Sequence, residues 1–143
     1  MNQPYGMTKA YLSGPMRGRP HFNFETFNLA TDNLRSKGWV VYSPAENDRG
    51  LYPDIEMWEG FANGRVDLCP KFNLESALEW DFQHILKANA IVMLSGWEDS
   101  AGACSERVVA EATGRAVYIM VDPAGHPFLD DIQKRMLTPR NAT

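Results

Sequence analysis

The stretch that most constrains the fold is Leu94 to Gly114, L-S-G-W-E-D-S-A-G-A-C-S-E-R-V-V-A-E-A-T-G. An apolar run, Ala90 to Leu94, leads into it and reads as a buried strand. A loop rich in Gly, Ser and acid follows, and it opens a small-residue helix that Gly114 should stop. At 100° per residue, Glu106 falls between Ala103, Val109 and Ala110, while Arg107 and Glu111 share another side and are expected to face water. A carboxylate on the packed side is the first anomaly. Its expected place near the helix N-terminus favours the ionised form, which suits a nucleophile or an electrostatic stabiliser. The plainer alternative is that Glu106 reaches back to the loop as a cap.

The rest of the chain repeats the strand and helix alternation. Lys9 to Ser13 reads as a strand that runs into G-P-M-R-G-R-P, where Gly and Pro forbid regular structure. Phe24 to Lys37 keeps helical spacing through Phe27, Ala30, Thr31 and Leu34, and Gly38 ends it. Trp39 to Tyr42 is a second strand. Ser43 to Phe72 gives no clear period. A short helix around Asp54 to Phe61 is expected there, with Trp58 and Phe61 covering the core in preference to walling a ligand. Leu74 to Ala88 is an amphipathic helix with Leu74, Ala77, Leu78, Phe82, Ile85 and Ala88 on one stripe. Asp81 sits within that stripe, the second anomaly, either put to use or capping a neighbouring loop. Ala116 to Val121 is a fourth strand, Asp122 to Gly125 a turn, and Pro127 to Met136 a last helix.

A chain of 143 residues, 44% of them hydrophobic, is expected to make one domain over 1–143, with 1–8 and 138–143 as flexible or interface tails. A net charge of -4 argues against a nucleic-acid polymer as partner. Cys69 and Cys104 have no zinc spacing and fit a reducing cytoplasm, and no metal is expected. His84 follows Asp81 on its helix, a pair read as structural. The N-terminus lacks the apolar run of a signal peptide, and no run approaches ~20 apolar residues, so no membrane partner is expected.

The order of elements predicts a three-layer α/β fold, Rossmann- or flavodoxin-like, with a parallel sheet of four to five strands and helices on both faces. With strand order 2-1-3-4, ligands bind beyond the carboxyl ends of strands one and three. The loops Ser13 to Pro20 and Ser95 to Gly102 meet there. The first offers Ser13, Arg17 and Arg19 to an anion, with Gly14, Met16 and Gly18 beside them, unless its arginines are merely solvated. It is neither a Walker loop nor a dinucleotide fingerprint. The second offers Glu98, Ser100 and Gly102. Opposite the anion grip stand the candidate catalytic acids Asp81, Asp99 and Glu106. Paired carboxylates are what glycosidic cleavage needs, and an anion holder beside them makes a nucleotide a natural substrate.

Three blocks, Y-L-S-G-P-M-R-G, W-D-F-Q-H-I-L-K-A-N-A-I-V-M-L and S-A-G-A-C-S-E followed by A-T-G-R, resemble the nucleoside 2-deoxyribosyltransferase superfamily, including its deoxynucleoside 5'-monophosphate N-glycosidase branch. The similarity runs from Tyr11 to about Val121. It implies that Glu106 is the catalytic glutamate, that Asp81 orients the sugar, and that Ser13 and Arg17 hold a 5'-phosphate. Asp99 stands one residue further from the glutamate than the family's usual acid, so Glu98 is an alternative helper for the departing base. The resemblance implies cleavage of an N-glycosidic bond through a glutamyl intermediate, resolved by water or by a second base. No cofactor is implied. It also implies a homo-oligomer, with Trp58, Phe61 and Trp97 forming an interface or a base-stacking wall. Two alternatives remain: a non-catalytic nucleotide sensor or interaction module on the same fold, and a phosphoryl-transfer enzyme using the anion loop.

Overall fold

The structure is a computed structural model and describes residues 8–130. Among these, β1 (Lys9–Ser13), β2 (Val40–Tyr42), β3 (Ala90–Leu94), β4 (Ala116–Met120) and β5 (Phe128–Leu129) form one sheet in the order β2-β1-β3-β4-β5. The first four strands pair in parallel, and β5 adds antiparallel to β4. Four α-helices accompany the sheet in the described residues: α1 (Phe24–Ser36), α2 (Pro44–Leu51), α3 (Leu74–Lys87) and α4 (Ala101–Ala112).

Strand alternation sorts the core into two halves. Ala10, Leu12, Val92 and Leu94 pack with Phe24, Phe27, Ala30 and Leu34 of α1 on one face. Tyr11, Ile91, Met93 and Val117 pack on the other, with Ile85 of α3, Ala88 just beyond it, and Ala103 and Ala110 of α4. The sheet is thus the middle of three layers, and β3 is buried along its whole length, as a central parallel strand must be. No helix among the described residues is long and apolar enough to cross a membrane.

Local chemistry starts and stops the helices. The Asn73 side chain accepts from the Ser76 N–H at 2.9 Å to begin α3, and Ser100 Oγ accepts from the Ala103 N–H at 3.2 Å to begin α4. Gly114, with φ +80, follows the last turn of α4.

Two expected helices give way. In place of a helix from Pro127, Phe128 and Leu129 pair with Ile119 and Tyr118. The turn at Asp122–Gly125 reverses the chain, and the unpaired edge of β4 offers the returning backbone a full set of partners, which outweighs local helical preference. The remainder of that expected helix, and the tails at 1–7 and 138–143, lie outside the described residues. Thr8, counted with the N-terminal tail, accepts a hydrogen bond from the Val40 N–H at 2.8 Å. The helix expected at Asp54–Phe61 is a single 3-10 turn, Ile55–Met57, because Ile55 and Phe61 must both turn into the core. The helix in this part of the chain is α2, which lacks an apolar stripe. It forms because Ser43 caps it, accepting from the Glu46 N–H at 3.3 Å, and Pro44 is preset for its first turn.

The loop after β1 is latched to the far end of this irregular segment, the Gly18 N–H donating to the Gly64 carbonyl at 2.9 Å. Gly64 is buried at φ +65, and a Cβ there would lie 2.5 Å from the Arg19 carbonyl oxygen. Gly18, at φ +78, has open space around the same position. Gly18→Ala should therefore cost about 1 kcal/mol of strain, and Gly64→Ala about 2–4 kcal/mol because a backbone clash is added. Urea melts of the two variants check this, and equal losses would count against the latch.

Candidate active site

Because side chains alternate along β1, Tyr11 and Ser13 both face α3 and α4. Both hydroxyls end on Glu106. Ser13 Oγ donates to Oε1 at 2.6 Å, and Tyr11 Oη donates to Oε2 at 2.9 Å. Glu106 is only 8% exposed, and Asp81 of α3 interacts with both it and Tyr11. Burial, then the charge of Asp81, pushes the Glu106 carboxyl up to about 8. Burial likewise raises Asp81 to about 6, against the hydrogen bonds from Glu106 and Tyr11 that favour its ionised form. Burial lifts the Tyr11 phenol well above its ordinary range, and both acids add to the effect, so it remains a donor.

Two expectations about α4 are corrected. Glu106 stands beyond the first turn, and the cap is Ser100, so it feels little of the helix-end charge. Desolvation and a second acid favour the neutral form instead. Arg107 does not face water: it is 7% exposed, stacks 4.8 Å over the Trp97 ring and pairs with Asp130 at 3.1 Å. The antiparallel return of β5 brings Asp130 to it.

Glu106 and Asp81 line a cavity of about 420 Å3, within the range of small-molecule sites. Gly14, Met16, Arg17 and Arg19 of the first loop line it too, as do Asp99, Ser100 and Gly102 of the second. Ser13 reaches it through Glu106. Gly18 and Glu98 are not part of the lining: Gly18 serves the backbone latch, and Glu98 is exposed. Trp58 lines the cavity while also packing on the core, whereas Phe61 is wholly a core residue, 5.4 Å from Phe24. Cys69 and Cys104 are free thiols. Among the described residues, no group of three or more His, Cys, Asp and Glu is disposed to hold a metal ion.

The first loop is held in an unusual shape. His21, Phe22 and Asn23 all take left-handed backbone angles, with φ 54, 52 and 63. Each costs about 1–3 kcal/mol unless the surroundings enforce it. Here the Asn23 amide donates to the Pro15 carbonyl at 2.9 Å, and the His21 ring stacks on Phe61 at 5.0 Å. Arg19 packs against Gly96 so closely that a Cβ there would meet its guanidinium at 2.7 Å, which joins the two loops. Arg17 is exposed at the cavity wall.

Two residues at the site escaped the sequence reading. Tyr11 was legible in principle, since it shares a strand face with Ser13. Asp48 of α2 also lines the cavity, and burial together with the charge of Asp81 raises it to about 7. No periodicity marked it, because α2 itself carries none.

The fold is a mainly parallel α/β sheet with a ligand-sized pocket lined by acids and by the loops that follow β1 and β3. The chain belongs to the family described as a domain of unknown function, DUF4406, which matches residues 8–119. No curated protein matches it.

Three acids with raised folded-state values make the native protein bind more protons than the unfolded chain between about pH 4 and pH 8, so stability falls as pH rises across that range. Glu106→Gln should raise Tm at pH 8.5, change it little at pH 5, and flatten the decline between them. Thermal melts across this range test the point, and an unchanged slope would refute the buried-acid assignment.

Proposed function

We propose that this domain cleaves the N-glycosidic bond of a 2'-deoxynucleoside or its 5'-monophosphate. The observation that carries the proposal is the buried Glu106 carboxyl, gripped by Ser13 and Tyr11 beside Asp81 on the wall of a cavity that Arg17 and Arg19 also line. The resemblance to nucleoside 2-deoxyribosyltransferases supports it independently, on the same residues.

Glu106 and Asp81 are close enough to share one proton near neutral pH, and two hydroxyl donors fix Glu106 in place. In the free protein Glu106 is the more basic of the two, so reaction requires its proton to pass to Asp81 when substrate binds, which leaves Glu106 ionised as the nucleophile. A Glu106 oxygen bonds to the anomeric carbon as the carbon–nitrogen bond breaks, and that electron pair leaves with the base. Asp81 gives its proton to the base. This role falls to Asp81 in place of Asp99 or Glu98, which are both exposed. In the second half, Asp81 takes a proton from water, whose oxygen displaces Glu106 and gives the free sugar. A second base attacking instead gives transfer. The first loop holds the 5' end, with Ser13 committed to Glu106 and Arg17 free to meet phosphate.

Chromatography of a deoxynucleoside and deoxynucleotide panel for released free base tests the reading. Binding without release would make the domain a sensor. Glu106→Gln should keep ligand binding and lose at least about a thousandfold in kcat. Arg17→Ala should weaken monophosphates about tenfold or more and spare nucleosides. The pH profile of kcat/KM should be bell-shaped with limbs near 6 and 8, since below the first both acids are protonated and above the second none can protonate the base. A monotonic profile would overturn the shared-proton mechanism.

A further inference from the structure

Asp48 takes no part in the chemistry just described, yet it lines the same cavity. Its backbone carbonyl accepts from the Tyr52 N–H at 2.8 Å within α2, but its carboxyl has no hydrogen-bond or ion-pair partner among the described residues. Neighbouring acids on the surface are paired, as Glu46 is with Arg35 at 2.8 Å and Glu56 with Arg49 at 2.8 Å. A half-buried carboxyl without a partner is costly unless something else supplies a donor.

Its place within the cavity says which part of a ligand it meets. One turn beyond it, Tyr52 packs on Trp58 at 5.2 Å and on Phe72 at 6.0 Å, and both of those rings line the cavity. This aromatic and aliphatic region, with Ile55 and Leu78, suits a planar heterocycle. The anionic end of a nucleotide is drawn to Arg17 and Arg19, and its sugar to Glu106 and Asp81.

We propose, building on the glycosidase reading, that Asp48 selects bases carrying an exocyclic amino group by accepting a hydrogen bond from that group. A carboxyl keeps an acceptor oxygen whether or not it is protonated, so an amino N–H is matched in either state. Uracil and thymine turn two carbonyl oxygens and one N–H to the same side, and those oxygens face repulsion from the Asp48 carboxylate, so the discrimination is sharpest above about pH 7, where that acid is ionised. The nearest test pair is dCMP and dUMP, which differ on that edge by an amino group and a bare ring nitrogen against a carbonyl and a ring N–H.

Wild-type protein should bind and cleave dCMP about tenfold or more better than dUMP. Asp48→Ala, which removes the acceptor, should bring the ratio within about threefold. Asp48→Asn, whose amide can turn its N–H toward a carbonyl, should improve dUMP in absolute terms. Calorimetric Kd and kcat/KM are both measured for each protein, with circular dichroism confirming that the variants fold. A dCMP to dUMP ratio unchanged in Asp48→Ala overturns the role of Asp48 and leaves the glycosidase reading standing. Binding with the expected ratios but no release of base refutes the glycosidase reading and retains the assignment of Asp48. Failure of wild type to bind either nucleotide overturns the assignment of Asp48, and failure also to release base from any member of the nucleoside and nucleotide panel overturns both.

Discussion

Everything at this site depends on keeping a carboxyl group out of water. Glu106 is more than nine-tenths buried, and burial of a charge is tolerated only where donors replace the lost solvent. Ser13 and Tyr11 supply two such donors, and Asp81 supplies a partner that makes full ionisation of both acids unfavourable. In the proposed mechanism this arrangement makes Glu106 a nucleophile that is fixed in position, poorly solvated and one proton away from reactivity. Such groups lower native stability, a common trade at reactive centres.

The sheet is what allows the arrangement. Parallel pairing of β1 and β3 sets Ser13 level with Met93 at the carboxyl end, where α4 begins only a loop away. α3 and α4 cover the same face, so acids one from each helix meet over a strand that contributes only hydroxyls. On the other side of the opening, the loop after β1 is held by its contacts to Gly64, Phe61 and Gly96. The irregular segment between β2 and α3 is therefore the wall of the pocket as well as a cover for the core.

The four parallel strands, three of the helices and the topology of the parallel part were legible because each carries a strong period or a Gly stop. Glu106 and Asp81 were legible for the opposite reason: each breaks an apolar stripe that its neighbours maintain. Asp48 was not, since α2 rests on a serine cap and a proline and has no stripe to break. β5 was hidden too, because its two residues owe their conformation to the exposed edge of β4, a partner that no local window contains. The burial of Arg107 follows from that same return of the chain.

The alternation that aims Tyr11 and Ser13 together has a consequence for how this chain can vary. An inserted or deleted residue within β1 would invert the strand and send both hydroxyls into the hydrocarbon layer under α1, exchanging them for leucine and alanine. Length changes are thus confined to the connections, and the hydroxyl pair can be lost by point substitution but not by gradual drift of the strand. The spacing Y-x-S is a geometric unit, because the single residue between the two is what sets both hydroxyls on the same acid.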